Sequence, residues 1–411
     1  MSDITASAHT GDDAPLAGYV IVDFTRVMSG PYCTRLLADL GATVIKIERP
    51  GEGDESRYVL PQLNPDRADQ SAYFARLNAG KQSIAINFAN PQARELIYDM
   101  VRKADVVIEN FSPGVMAKYG LDEPSLRAVR NDLIYCSISG FGQTGPLRSL
   151  QAYAHLINAF SGMMELERGG ESAPRASNLQ AADVLAGAHA FGAICAALLR
   201  RARNGRGAFI DVSMLECLVA ADDINFPALL NGIPVARKPR YGMVVHPIGE
   251  RAVAMQLGGA AAMWPRLTEL MGQPELQQDS RFSTAADRRR NWADLAVILG
   301  EWLAGFSSVD EAGKALASAR IPNVPMLHPE EIIDHPHLAE RSAFPHVNHP
   351  VAGTARVTAT PFQLDGDAVV PAGPVAYDIG EHGRQVLTDW LGLSETKIQT
   401  LVSQGVVTDA G

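Results

Sequence analysis

The chain has 411 residues, long enough for a large core and two domains, and its 46% hydrophobic and 20% charged residues exclude a disordered chain. With 36 Lys and Arg against 46 Asp and Glu, the net charge of −10 excludes a nucleic-acid binder or an anionic-membrane binder and suits a soluble cytoplasmic protein. An anionic ligand must then be met by basic residues set locally against the overall field.

The opening stretch, MSDITASAHTGDDAPLAG, is polar and acidic and lacks the basic start and apolar core of a signal peptide. Residues 1–15 therefore read as a mobile tail. From Leu16 strand-type and helix-type runs alternate. GYVIVDFT is a strand, GPYCTRLLADLG a helix ended by Gly41, and GATVIKIER and SIAINF are strands. NPQARELIYDMVRKA follows as a helix, with Asn90 as cap and Pro91 at its first position. ADVVIENF, DLIYCSIS and AFIDVSM complete the strands; EPSLRAVR and a long Ala-rich run after Asp183 supply helices. Strands alternating with helices predict a parallel sheet with right-handed crossovers, hence an α/β, doubly wound domain over residues 16–225.

The apolar run VLAGAHAFGAICAALL reads as a buried helix, too short to cross a bilayer. From Phe226 the text turns rich in Pro, Gly and basic residues, as in a linker or lid, and opens a smaller α/β unit over residues 226–340. Residues 341–411 form a return segment whose two last helices need an apolar surface to pack on. There is no internal repeat and no low-complexity tract.

Four widely spaced cysteines imply neither a zinc framework nor disulfides, and point to a reducing compartment. His328, His335, His337, His346 and His349 lack metal-ligand spacing, read as exposed loop histidines, and leave no metal site expected. GFGQTG, residues 140–145, matches a dinucleotide fingerprint letter for letter. The fingerprint belongs to the first strand–helix turn of a sheet, and here it comes several strands late and runs into Pro146, so NAD is not expected. A glycine turn at a strand end still allows close approach of a ligand.

Asp183 is the strongest candidate for chemistry. It stands at the mouth of the long apolar helix, with Gly187 one turn later. Two compatible roles fit: an N-cap, or an ionised nucleophile favoured by the helix N-terminus. Arg49, Lys81 and Lys118 sit at strand ends, where they are candidates to hold phosphates.

Long segments in register resemble the family III CoA-transferases: DFTRVMSGPYCTRLLADLGATVIKIERPGEGD, LNAGKQSIAINF, ADVVIENFSPGVMAKYGLD, ISGFGQTGP and GEHGRQVLTDWLGLS. The resemblance runs from about Leu16 to Val407. It implies an interlocked homodimer with a Rossmann-like large domain completed by the returning C-terminus. It further implies a site between domains of the two subunits, with acyl-CoA and a small organic acid as partners and no permanently bound cofactor. Asp183 falls at the family's catalytic aspartate. By the same resemblance Met28, Ser29 and Arg49 meet coenzyme A, and Ile86, Asn87, Phe88 and Ala89, with Asn110, Phe111 and Ser112, wall its adenosine and pantetheine. Lys118 stands where better-known members have arginine, keeping the charge but losing bidentate geometry.

Tyr153 matches the transferase branch and by the same resemblance is expected among the coenzyme A contacts. The racemase branch has a histidine and an aspartate where this chain has Tyr153 and Ala154, with His155 two places on in another helical direction. A CoA-transferase is therefore expected, with α-methylacyl-CoA racemisation and non-catalytic CoA binding as alternatives. RYGMVVHPIG lacks the glycine run that covers the intermediate in formyl-CoA transferase. Arg148, Arg240 and His246 are candidates to meet the second carboxylate of an acid such as succinate.

Overall fold

Six strands form the central sheet in the computed structural model, which describes residues 13–168, 173, 176–235, 241–257 and 262–408. They are β1 (Val20–Asp23), β2 (Thr43–Glu48), β3 (Gln82–Ala85), β4 (Val106–Glu109), β5 (Ile134–Ser139) and β6 (Ala208–Ser213). All five pairings are parallel, in the order β3-β2-β1-β4-β5-β6. The order reverses between β1 and β4, where ligands meet doubly wound sheets. Helices α1 (Ser29–Asp39), α2 (Ala72–Asn78), α3 (Ala93–Lys103), α4 (Val115–Lys118) and α5 (Glu123–Val129) fill the early connections. Helices α6 (Ala154–Phe160), α7 (Met163–Glu167) and α8 (Ala181–Asn204) precede β6.

β4 and β5 are buried at every position, which is why their sequences read as near-continuous apolar runs. Alternate residues divide between two cores. Ile21, Val106, Ile108, Ile134 and Cys136 join Cys33 and Leu37 of α1 and Ala186, Ala190 and Ile194 of α8. Val22, Val107 and Tyr135 join Leu96, Ile97 and Met100 of α3 and Leu126 of α5. α3 begins at Ala93 rather than Pro91, because the Asn90 side chain accepts the Gln92 N–H at 3.0 Å and turns the chain first.

α8 corrects the expectation of a short, buried helix. It runs 24 residues, past both ends of the apolar stretch, and by length and composition alone is long enough to cross a membrane. Only 39% of its most apolar window is buried within the chain, leaving an uncovered apolar face.

The described residues of Met1–Arg168, Ala173–Val235 and Pro336–Gly411 form one compact unit, and those of Ala236–His335 a second. In the first unit α9 (Met214–Val219) and α10 (Asn225–Leu230) follow β6. The second has an antiparallel sheet of β7 (Met243–Ile248), β8 (Arg251–Gln256) and β9 (Asn323–Pro325). Its helices include α11 (Met263–Leu270), α12 (Ala285–Arg290), α13 (Trp292–Leu303) and α14 (Val309–Ser318), and Val253, Leu267, Leu295, Leu299 and Leu316 fill its core. The stretch expected to be a linker is thus regular at both ends, as α10 and β7; Pro247 is tolerated because β7 is an edge strand.

The returning segment makes the hairpin β10 (His346–His349) and β11 (Gly353–Arg356). Strand alternation turns His349 inward, so it is no exposed loop histidine: it is buried, and its Nδ1 accepts the Ala352 N–H at 3.0 Å. The last helix, Glu395–Ser403, packs Ile398 and Leu401 on the α3 face. Val406 O then accepts the Asn87 N–H at 2.8 Å, and Val407 bridges Ile86. Val406→Asp, which buries an unpaired carboxylate here, is expected to cost about 2–4 kcal/mol, read as a lower urea midpoint.

Candidate active site

The loops leaving β1, β2, β3 and β4 open onto a cleft of about 480 Å³, a volume suited to a cofactor-sized ligand. Its aromatic wall is built around Phe88, whose ring meets Phe24 and Phe111 at 5.9 Å and Tyr119 at 5.2 Å, all edge-on. The lining also carries charge. Arg49 pairs with Glu52 at 2.9 Å, and Arg26 pairs with Glu55 and lies over the Phe111 ring at 5.0 Å. An apolar aromatic wall with two arginines suits a planar base linked to phosphate.

Arg49, Ile86, Asn87, Phe88, Ala89 and Phe111 all line this cleft. Asn110 instead clamps the β1–α1 loop. Its Oδ1 accepts the Arg26 N–H at 2.9 Å, while its Nδ2 donates to Arg26 O at 2.8 Å and Ser29 Oγ at 3.2 Å. Met28 and Ser29 are buried at the start of α1. Ser112 and Lys118 are exposed, one accepting the Val115 N–H at 3.1 Å and the other ending α4. Lys81 is corrected: it is buried, donating to Asp23 at 3.3 Å, Asn78 Oδ1 at 2.9 Å and Pro31 O at 3.0 Å, so it holds the fold together instead of meeting phosphate. Burial brings its ammonium down to about 8, against the pull of Asp23.

Asp183 lies in the first turn of α8, behind Gln180 at the cap, so it is not the capping residue. The position is set by Gly187, one turn on. A Cβ at Gly187 would lie 2.5 Å from Ser29 O, so α8 packs against the start of α1 backbone to backbone. That contact sets Asp183 beside Ser29, whose hydroxyl and backbone N–H favour its ionised form. The helix N-terminus favours charge, yet burial prevails: the carboxyl is pushed up to about 6, with Ser29 and the charge of His155 opposing the rise. At neutral pH it is still largely ionised.

Two neighbours were not legible in the sequence. Tyr73, on α2, donates to Gln180 Oε1 at 3.2 Å, and its hydroxyl is pushed up to about 12 by burial and then by the charge of Asp183. His155, in the first turn of α6, acts on Asp183 through its charge although spacing alone set it in another direction. Tyr153 is 70% exposed at the α6 cap position. Arg148 is exposed in the turn after β5; His246 belongs to the second unit, against Gly300 of α13; Arg240 lies outside the described residues.

GFGQTG forms the turn after β5, with Gly142 and Gly145 at φ +83 and +84. Its Gln143 N–H is taken by the Asp211 carboxylate at 3.0 Å. An anion of the chain's own thus occupies the donor that a fingerprint would offer to pyrophosphate.

The family model described as CoA-transferase family III matches residues 16–382. Succinyl-CoA:glutarate CoA-transferase of Mus musculus is 30% identical over 407 residues, covering 96% of this chain and 90% of that protein. Formyl-CoA:oxalate CoA-transferase of Streptomyces avermitilis is 31% identical over 415 residues, covering 95% and 99%. Acetyl-CoA:oxalate CoA-transferase of Acetobacter aceti is 35% identical over 351 residues, covering 83% and 87%. Among solved structures, a CAIB/BAIF family protein from Brucella suis superposes with a TM-score of 0.77 at 30% identity, covering 92% of this chain and 99% of that one.

Proposed function

The chain belongs to CoA-transferase family III, and from that premise we propose that it moves CoA between two carboxylic acids through covalent intermediates on Asp183. The observation that carries this reading is the Asp183 carboxylate in the first turn of α8, packed beside Ser29 at the start of α1 and joined by the β1–α1 loop to the cleft. An Asp183 oxygen attacks the thioester carbonyl of the donor, the C–S bond breaks, and an aspartyl anhydride and CoA thiolate result. The thiolate attacks the aspartyl carbonyl, releasing the donor acid and leaving aspartyl-CoA. The acceptor carboxylate reverses both steps, leaving with CoA and restoring Asp183.

Arg26, Arg49 and the Phe88 cluster support nucleotide binding in the cleft. Relatives named for succinyl-CoA and glutarate support a dicarboxylate acceptor and succinyl-CoA as donor. The uncovered face of α8 and the exposed Leu156, Phe160 and Leu179 support a homodimer, interlocked as the family resemblance implies. Four free cysteines support a cytoplasmic setting. Exchange assays with succinyl-, acetyl- and formyl-CoA against a panel of acids test the substrate pair, and sedimentation velocity tests the dimer.

One observation favours a second reading. His155, exposed in the first turn of α6, lies within electrostatic range of Asp183, and a racemase requires two proton-transfer groups at one α-carbon. Acceptor-independent α-proton exchange in deuterated water would mark that activity; acceptor-dependent CoA exchange marks the transferase.

The acid limb of kcat/KM for CoA exchange is expected to fall with a midpoint near 6. Only the ionised carboxylate attacks, and its pKa is raised, so activity is lost as pH drops through that value and is level above it. A flat profile from pH 5 to 7 would contradict the assignment.

A further inference from the structure

The loop joining β1 to α1 passes through a conformation that its sequence resists. Val27 has φ +64, in the left-handed region where Cβ sterics disfavour a β-branched residue. It stands two residues before Ser29. Three contacts over-determine it. The Val27 N–H donates to Asp54 Oδ1 at 3.0 Å, Thr25 O accepts from Lys46 Nζ at 2.7 Å, and Asn110 clamps both backbone groups of Arg26.

Asp54 is itself rigidly held. Its Oδ1 also accepts from Ser56 N at 2.9 Å and Ser56 Oγ at 2.7 Å, and its own N–H donates to Glu48 Oε2 at 3.0 Å. Lys46 pairs with Asp54 Oδ2 at 2.8 Å, and Arg57 forks onto Glu48 through two 2.7 Å bonds. With Lys81 on Asp23, three buried cations offset three buried carboxylates beneath the loop. Burial would raise the Asp54 carboxyl, but Lys46 and the Ser56 and Val27 N–H groups bring it down to about 2, so it stays ionised.

We infer that Asp54 is a positioning residue: by holding the Val27 N–H it keeps the β1–α1 loop in the left-handed turn that aims Ser29 at Asp183. The inference rests on Asp183 as the nucleophile, and it goes beyond that reading by assigning the strained turn a task. Asp54 also lines the cleft, so a role in gripping the ligand is the rival explanation. The two differ in kinetics. Loss of a grip raises KM, whereas loss of aim lowers kcat with KM little changed.

The test compares Asp54→Ala, Asp54→Asn, Val27→Gly/Asp54→Ala and Asp183→Asn, measured as purified full-length enzymes by acyl-CoA exchange across pH. Asp54→Ala is expected to lower kcat by at least about tenfold with KM within about twofold. Its acid limb should move to higher pH, because Ser29 moves away from Asp183 and no longer favours its ionised form, leaving His155 as the remaining group that lowers it. Asp54→Asn keeps an acceptor for Val27 and should retain most of kcat. Glycine adopts a positive φ without strain, so Val27→Gly should restore kcat and the acid limb in the Asp54→Ala background. Should Asp54→Ala misfold, Asp54→Ala/Lys46→Met is compared with Asp54→Asn/Lys46→Met: neither holds an orphan charge and both lose the Lys46–Thr25 contact, so they differ in the acceptor offered to Val27. A changed KM alone, or no rescue by Val27→Gly, overturns the inference. Activity retained in Asp183→Asn overturns the nucleophile reading instead, whereas normal kcat in Asp54→Ala beside an inactive Asp183→Asn overturns this inference alone.

Discussion

Asp183→Asn is expected to lower CoA exchange by a factor of about 10³ or more while leaving the protein as stable as before at pH 7, or more so. The first half follows from chemistry, since an amide neither forms the anhydride nor accepts the CoA thiolate. The second follows from linkage. The carboxyl is raised from 3.8 to about 6 by burial, so its contribution to folding is fully present below 3.8 and lost as pH rises through 6. At pH 7 the charge is therefore a burden on the folded state, and the isosteric amide removes it. Exchange of labelled CoA and a calorimetric Tm check the two halves together. An inactive variant whose Tm drops by many degrees would point to a structural aspartate instead.

The second large effect is expected at a residue with no chemistry. At Gly187 an added methyl would meet Ser29 O at 2.5 Å, Tyr32 Cδ1 at 3.0 Å and Cys33 N at 3.4 Å. Two of these are backbone atoms within α1, which cannot swing aside. Gly187→Ala must therefore push α8 off α1, and Asp183, one turn away on the same side, moves off Ser29 with it. A displacement of about 1 Å at reacting groups costs up to about 10²-fold in kcat. The overpacking itself costs about 1–3 kcal/mol, partly offset by the better helix propensity of alanine. Gly192, on the same helix, is the control for the α1–α8 contact: among the described residues nothing lies within 4 Å of its Cβ, and since it stands on the face proposed to pair in the dimer, Gly192→Ala should leave kcat unchanged where sedimentation shows an unchanged assembly. Equal kcat in the two variants would show that the α1–α8 contact does not aim the carboxylate.

The sheet was legible because central parallel strands are apolar throughout; IYCSIS has no other reading once both its faces are covered. The long helix was legible too, but its open face was not, since composition does not say how much of an apolar stripe the chain itself covers. Local text also misjudged charges whose partners are remote in sequence. Lys81 looks like a surface cation until Asp23, 58 residues earlier, is brought against it. Tyr73 feels the charge of Asp183 only because the fold brings α2 against Gln180 at the start of α8, and no spacing encodes that. Asp183 itself was found from a local cue, a carboxylate opening a helix, whereas the positive φ of Val27 leaves no mark in DFTRVMSG. The residues that hold such a turn lie far along the chain, Lys46 on β2 and Asp54 and Asn110 in the loops after β2 and β4.

The pairing of Val406 with Asn87 orders events in time. Roughly 320 residues separate the two, so at about 5–20 residues per second the Ile86–Ala89 wall waits on the order of 16–60 s for its support to leave the ribosome. Until then the α3 side of the sheet lacks Leu387, Ile398 and Leu401 and presents bare apolar surface. A nascent chain exposes that surface throughout the interval, and this wall of the cleft is complete only once the last residues have left the ribosome.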